Sequence, residues 1–127
     1  MSALPPFELG HAGTELRRSL VELVLAGTKT ATSAPLSEYE RDGEAVPRPG
    51  DRFALVDVDD RPVATVEVTE SRVLPASEID AQFAADEGEG FASVADWHAA
   101  HESFFGTAIE PGAPIVALRF RLVASGA

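Results

Sequence analysis

The segment Ala26-Gly27-Thr28-Lys29-Thr30-Ala31-Thr32-Ser33 stands where one periodicity gives way to another, and the fold class follows from what lies on either side of it. Upstream, Leu16, Leu20, Leu23 and Val24 form the stripe of an amphipathic helix, with Thr14 as N-cap and Gly27 as its stop. The segment itself is short and β-branched, which predicts a strand or an extended stretch. Residues 34–50 carry Pro35, Gly43, Pro47, Pro49 and Gly50 among several charges and predict a long surface loop. Phe53–Val58 and Val63–Val73 then read as a hairpin around the turn Asp59-Asp60-Arg61-Pro62. A short helix is expected from Ser77, with Ile79 and Phe83 on one face, ending near Gly88. Ser93 and Asp96 pair as a helix start, and Val94, Trp97, His101, Phe104 and Phe105 follow along one stripe to a stop at Gly106. From Ile115 to Val123 the chain alternates, with Val116, Leu118, Phe120 and Leu122 on one side and Arg119 and Arg121 on the other. Helix, strands, helices, strand, with hairpin-type connections, is the order of an α+β fold with a curved or barrel-like sheet.

Composition narrows the function. The chain has 127 residues, 21 acidic and 10 basic, for a formal charge of −11. Such a surface repels long duplex nucleic acid, whose binding depends on Lys and Arg meeting phosphates, and it excludes a polybasic membrane anchor. No cysteine is present, so disulfides, thiolate nucleophiles and Cys-based zinc sites are ruled out. The length predicts one domain over residues 1–127. Met1–Gly10 has neither a basic region nor an apolar run, and no stretch has the length of a membrane span, so a cytoplasmic protein is expected.

Lys29 is the only lysine, against nine arginines. Lysine can serve as a base when its surroundings favour the neutral amine, whereas arginine stays protonated. Four hydroxyls stand within six residues of it, and a hydroxyl becomes a nucleophile beside such a base. The alternative is a solvated charge near a helix C-terminus. In a regular strand Lys29 and Thr32 point to opposite faces, so they converge only where the alternation breaks. Asp86-Glu87-Gly88-Glu89-Gly90 is a second cluster, either a source of a proton-shuttling carboxylate or a solvated helix end. His98 and His101 have the spacing of a metal pair but no third ligand at a matching distance, and His101 shares its stripe with Trp97 and Phe105, as a packed histidine does. No nucleophile elbow places a serine triad. Arg119 and Arg121 either face solvent or line an anion site.

These motifs, in this order, carry a resemblance. Leu25 through Ser33, Glu38-Tyr39-Glu40, Pro49-Gly50-Asp51, Phe83 through Gly90, Trp97 with His101, Phe104 and Phe105, and the closing Arg119-Phe120 make the chain similar, over nearly its whole length, to the ASCH domain family, a branch of the PUA-like superfamily. The resemblance implies a PUA-like small β-barrel flanked by helices, and a role directed at RNA or its building blocks. Small bacterial members hydrolyse the amide of N4-acylated cytidines without a metal; others are described as ribonucleases, and many are inferred only to bind RNA. Carried over by position, the catalytic roles fall on Lys29, Thr32 and Glu87, with Glu89 as the competing carboxylate. Gly27, Thr30, Tyr39, Glu89 and Arg119 are the expected substrate-binding residues, Tyr39 or Trp97 offering a stacking face. No cofactor is implied, and the partner is a nucleoside or a short single-stranded RNA. The chain departs from that pattern at Ala34, where those amidohydrolases carry arginine, and at Leu118, where relatives place glutamate.

Overall fold

The computed structural model describes residues 4–125, and they form one curled five-stranded sheet with helices on both faces. The strands are β1 (Pro6–Phe7), β2 (Ala31–Pro35), β3 (Arg52–Val56), β4 (Pro62–Pro75) and β5 (Pro114–Ser125), in the order β1-β3-β4-β5-β2. The helices are α1 (Glu15–Leu25), α2 (Leu36–Asp42), α3 (Ala81–Asp86) and α4 (Val94–Phe105). The α+β half-barrel matches the expected class. No helix among the described residues is long and apolar enough to cross a membrane.

Curvature comes from the two longest strands. β4 and β5 pair antiparallel from Ala64↔Ser125 to Pro75↔Pro114, with register shifts between Thr65 and Val66 and between Val68 and Glu70. The first leaves Val123 of β5 without a partner and the second Thr69 of β4, and each sharpens the local twist, which bends the sheet around α1. α1 turns Leu20, Val21 and Val24 into the concave face, against Phe7, Leu55, Val66, Val68, Val116, Leu118 and Phe120. On the opposite face Leu74, Ile79, Phe83, Trp97, Ile109, Ile115 and Ala117 form a second core under α3 and α4.

Several expectations shift. Residues 34–50 are not all loop: α2 starts after Pro35 and ends at Gly43, which takes a left-handed φ of 66°. Leu36 and Tyr39 pack on the concave core, and Arg41 bonds Glu38 across one turn; seven residues are too few to show a helical stripe in sequence. The helix expected from Ser77 is a single 3-10 turn over Ala76–Glu78, and α3 begins later because Asp80 caps it through the Phe83 N–H. β1, which pairs parallel with β3, gave no signal at two residues long. In β5, Val116, Leu118 and Phe120 face one core, but Ile115 and Ala117 are buried in the other, so the lower half of that strand is covered on both sides. Leu122 is exposed at the far end, as is Phe104 on α4.

Candidate active site

Lys29 owes its place to the way α1 ends. Ala26 closes the helix, Gly27 follows at φ 80°, and the N–H groups of Thr28 and Lys29 both return to the Leu23 carbonyl, at 2.9 and 3.1 Å. The chain therefore reverses before any strand alternation begins, and β2 starts only at Ala31. That is the break which the convergence of Lys29 and Thr32 requires, and both residues line the same cavity.

The segment after α3 lies directly on this reversal. Thr30 N–H donates to the Asp86 carbonyl at 2.9 Å. Gly88, at φ 72°, approaches so closely that a Cβ on it would stand 2.6 Å from the Thr28 carbonyl oxygen and 2.8 Å from Lys29 Cα. Only glycine fits there, both sterically and by dihedral angle. The two flanking glutamates thereby reach the lysine. Lys29 Nζ donates to Glu89 Oε2 at 2.8 Å and to the Glu87 carbonyl at 3.2 Å, with Glu87 Oε1 at 3.6 Å. Lys29 and Glu87 are almost fully buried, so each needs the other's charge.

Glu87 is tied further on its other side. Its Oε2 accepts from the Ser33 hydroxyl at 2.7 Å and from the Trp97 indole N–H at 2.7 Å, the latter shared with Ser33 Oγ at 3.1 Å. His101 Nε2 lies 3.2 Å from Ser33 Oγ and 3.6 Å from Glu87 Oε1, and its Nδ1 lies 2.8 Å from the Trp97 carbonyl. Burial works to raise the Glu87 carboxyl, but His101, the Lys29 charge and the Ser33 hydroxyl outweigh it and hold the group below the ordinary carboxylate range. His101 is the mirror case: burial works to lower it, and Glu87, the Trp97 carbonyl and Glu89 together raise it above the usual imidazole value. Trp97 stacks on the His101 ring, with centroids 4.4 Å apart.

Lys29, Thr32, Ser33, Glu87, Glu89 and His101 all border a cavity of about 400 Å³. Phe7, Leu20, Tyr39, Phe53, Phe104 and Phe105 supply apolar and aromatic walls, and Glu8, Glu38, Asp42 and Glu44 add carboxylates. Burial, aided by Glu44, pushes the Tyr39 phenol up to about 12, so it stays neutral at physiological pH. Ala34 and Leu118, the two positions where the sequence departs from the motif pattern, border the same space.

Of the residues singled out in sequence, Lys29, Thr32, Tyr39, Glu87 and Glu89 meet at this cavity, whereas Gly27, Thr30 and Arg119 do not line it. Gly27 shapes the turn, and the Thr30 hydroxyl lies 3.4 Å from the Asp86 carbonyl. Arg119 lies across Phe83 and bonds Asp86 at 2.6 Å, so its charge is spent in bracing α3. Arg121 pairs with Glu67, which also accepts from Arg52. Ser33 and His101 were not assigned to the cluster by sequence reasoning; the signal was the i, i+4 spacing of Trp97 and His101 on one helix face.

Among proteins with curated descriptions, none matches the chain. Solved structures similar to it include the following two. A protein of Enterococcus faecalis V583, of family DUF984, has a TM-score of 0.85 and 25% identity over 98% of this chain and 79% of its own. An ASCH domain from Lactobacillus crispatus JV V101 has a TM-score of 0.81 and 25% identity over 96% of this chain and 80% of its own. The ASCH domain profile matches residues 8–124, and the chain belongs to the ASCH domain family.

Proposed function

We propose that the chain hydrolyses the amide of an N4-acylated cytidine, in the cavity that Lys29 borders, with Lys29 rather than a metal-bound water as the base. The observation that carries this reading is a buried lysine, 2.8 Å from one carboxylate and 3.6 Å from a second, in the wall of a cavity of about 400 Å³. That volume suits a nucleoside bearing an acyl group. Tyr39, neutral and half-buried, offers a face for the base, and the apolar side chains at Ala34 and Leu118 suit the acyl group.

In this mechanism the Lys29 ammonium passes a proton to Glu89, and the free amine takes the hydrogen of the Thr32 hydroxyl as Oγ1 attacks the amide carbonyl carbon. Backbone N–H groups near Gly27 or along residues 34–50 stabilise the oxyanion. The proton on Lys29 then goes to the exocyclic nitrogen as the C–N bond breaks, which releases cytidine and leaves a Thr32 ester. Water, deprotonated by the same amine, attacks that ester; Lys29 returns the proton to Thr32 Oγ1 as the C–O bond breaks and the carboxylic acid leaves, and Glu89 then gives its proton back to Lys29. Glu87 orients Lys29 throughout.

Charge favours a nucleoside over an RNA strand, although the family resemblance points to RNA or its building blocks. Six carboxylates border the cavity, against Lys29 and two histidines. The arginines of the sheet face are already matched, Arg52 and Arg121 with Glu67 and Arg119 with Asp86. A phosphodiester therefore finds little free positive charge. The test is to incubate the purified protein, with EDTA present, with N4-acetylcytidine and separately with a short single-stranded RNA. Deacylation that disappears in Lys29→Arg is the expected result. RNA cleavage, or saturable RNA binding without deacylation, overturns it.

A further inference from the structure

Ser33 Oγ has three neighbours within hydrogen-bonding distance and only one hydrogen to give. Its neighbours are Glu87 Oε2 at 2.7 Å, the Trp97 indole nitrogen at 3.1 Å and His101 Nε2 at 3.2 Å. The indole N–H can only donate, and an ionised carboxylate can only accept. The hydrogen of Ser33 therefore belongs to Glu87, which also has the shortest contact. His101 must then donate from Nε2 if that contact is a hydrogen bond. Its Nδ1 already faces the Trp97 carbonyl, which only accepts, so Nδ1 carries hydrogen as well. Both ring nitrogens bearing hydrogen is the imidazolium form.

We infer that Ser33 and His101 are positioning residues for Glu87: a protonated His101 and the Trp97 indole orient the Ser33 hydroxyl so that its hydrogen binds Glu87 Oε2, leaving Oε1 turned to Lys29. Both Ser33 lone pairs are occupied in this arrangement, so Ser33 is a strut and not a nucleophile. Thr32 is not one of the partners in this network, and it borders the same cavity. The charges that face His101 are Glu87 and Glu89 from the segment after α3 and, across Glu87, Lys29 from the turn before β2. Phe91 and Phe105, which also flank the ring, are uncharged. Loss of the His101 proton at high pH leaves two acceptors, Nε2 and Glu87 Oε2, competing for one serine hydrogen, and Glu87 is released from one side.

The kinetic part of this inference rests on the amide-hydrolase reading; the titration part does not. The His101 ring, assigned by its loss in His101→Gln, is titrated by NMR in the intact protein, in Ser33→Ala and in Glu87→Gln. The expected result is a midpoint above the usual imidazole value in the wild type that falls in Glu87→Gln. An ordinary midpoint, unmoved by Glu87→Gln, overturns the inference whether or not the protein is an enzyme. With N4-acetylcytidine, Ser33→Ala is expected to lower kcat by about tenfold with KM within about twofold. The wild-type kcat should fall at alkaline pH. His101→Gln, whose amide N–H can still meet Ser33 Oγ, should stay within about threefold and lose that alkaline fall. A kcat in Ser33→Ala equal to wild type, in a folded protein that deacylates, overturns the positioning role. No deacylation by any of the proteins, with the titration as expected, removes the hydrolase reading and leaves the Ser33–His101–Glu87 network standing.

Discussion

Arg17 and Lys29 are the buried cations among the described residues, 1% and 2% exposed, yet their surroundings are opposite. Arg17 ends on main-chain carbonyls: its Nε donates to Leu9, and its terminal nitrogens to Asp57 and Gly10, with Asp60 Oδ1 at 2.6 Å. It ties the segment after β1 and the β3–β4 turn to α1, and it uses the planar fork of guanidinium to do so. Asp60, at φ 60°, keeps its side chain largely in solvent. Lys29 ends instead on two carboxylates beside open space, held there by a glycine contact that tolerates no side chain. One cation is consumed by the fold; the other stands between two carboxylates at the edge of a cavity, where the proposed reaction would use it.

That contrast is breakable. The largest effect expected is on activity: Lys29→Met should lower kcat/KM for N4-acetylcytidine by at least about a thousandfold, while Arg17→Met leaves kcat/KM per folded molecule within a few-fold. Stability should show the reverse emphasis for Arg17. Arg17→Met strands several carbonyls and should cost about 3 kcal/mol, roughly 10 °C in Tm by thermal denaturation, and Arg17→Lys should recover only part of it. A Tm within a few degrees of wild type in Arg17→Met would remove its structural role.

Gly88→Ala comes next. It forces a left-handed alanine into the Thr28 carbonyl, and about 2 kcal/mol of stability is the expected cost. Because the same step moves Glu87 and Glu89 off Lys29, activity per folded molecule should fall by about tenfold or more. The alanine variant at Gly43, where a Cβ meets nothing within 4 Å, separates crowding from backbone conformation and should spare activity.

The pH dependence of stability follows from Glu87 and His101. Glu87 is lowered in the folded state, so its contribution is present above the ordinary carboxylate value and is lost as pH falls through the lowered one. His101 is raised, so its contribution is full below its ordinary value of 6.5 and is lost as pH rises through the folded value. The Tm advantage of wild type over His101→Gln should therefore be widest between these two ordinary values and narrow toward alkaline pH. The smallest effect is reserved for Arg18, whose i,i+3 pair with Glu15 is exposed on both sides: Arg18→Ala should leave Tm and activity unchanged within error.

Much of the fold was legible because caps and periods agreed. Thr14 and Gly27 bracket α1, Ser93 and Gly106 bracket α4, and the β3–β4 turn announces itself through Asp59-Asp60-Arg61-Pro62. What stayed hidden was short or doubly covered: α2 has too few turns to show a stripe, and β5 is buried on both faces between Ile115 and Leu118. In the candidate site, Lys29 stood out by composition alone, as a lone lysine among arginines. Glu87 against Glu89 could not be separated in sequence, because both flank Gly88 and both reach Nζ. Ser33 and His101 were illegible as partners: their contact spans 68 positions and depends on how α4 packs over β2.

The central claim, that Lys29 is buried for the chemistry of an amine and not for its charge, is tested most directly by Lys29→Arg. Single-turnover hydrolysis of N4-acetylcytidine is measured beside Tm for the wild type and this variant. The account predicts a folded protein whose deacylation rate is reduced at least about a thousandfold, because arginine keeps the charge but cannot accept the Thr32 proton. Deacylation within a few-fold of wild type in Lys29→Arg would contradict it.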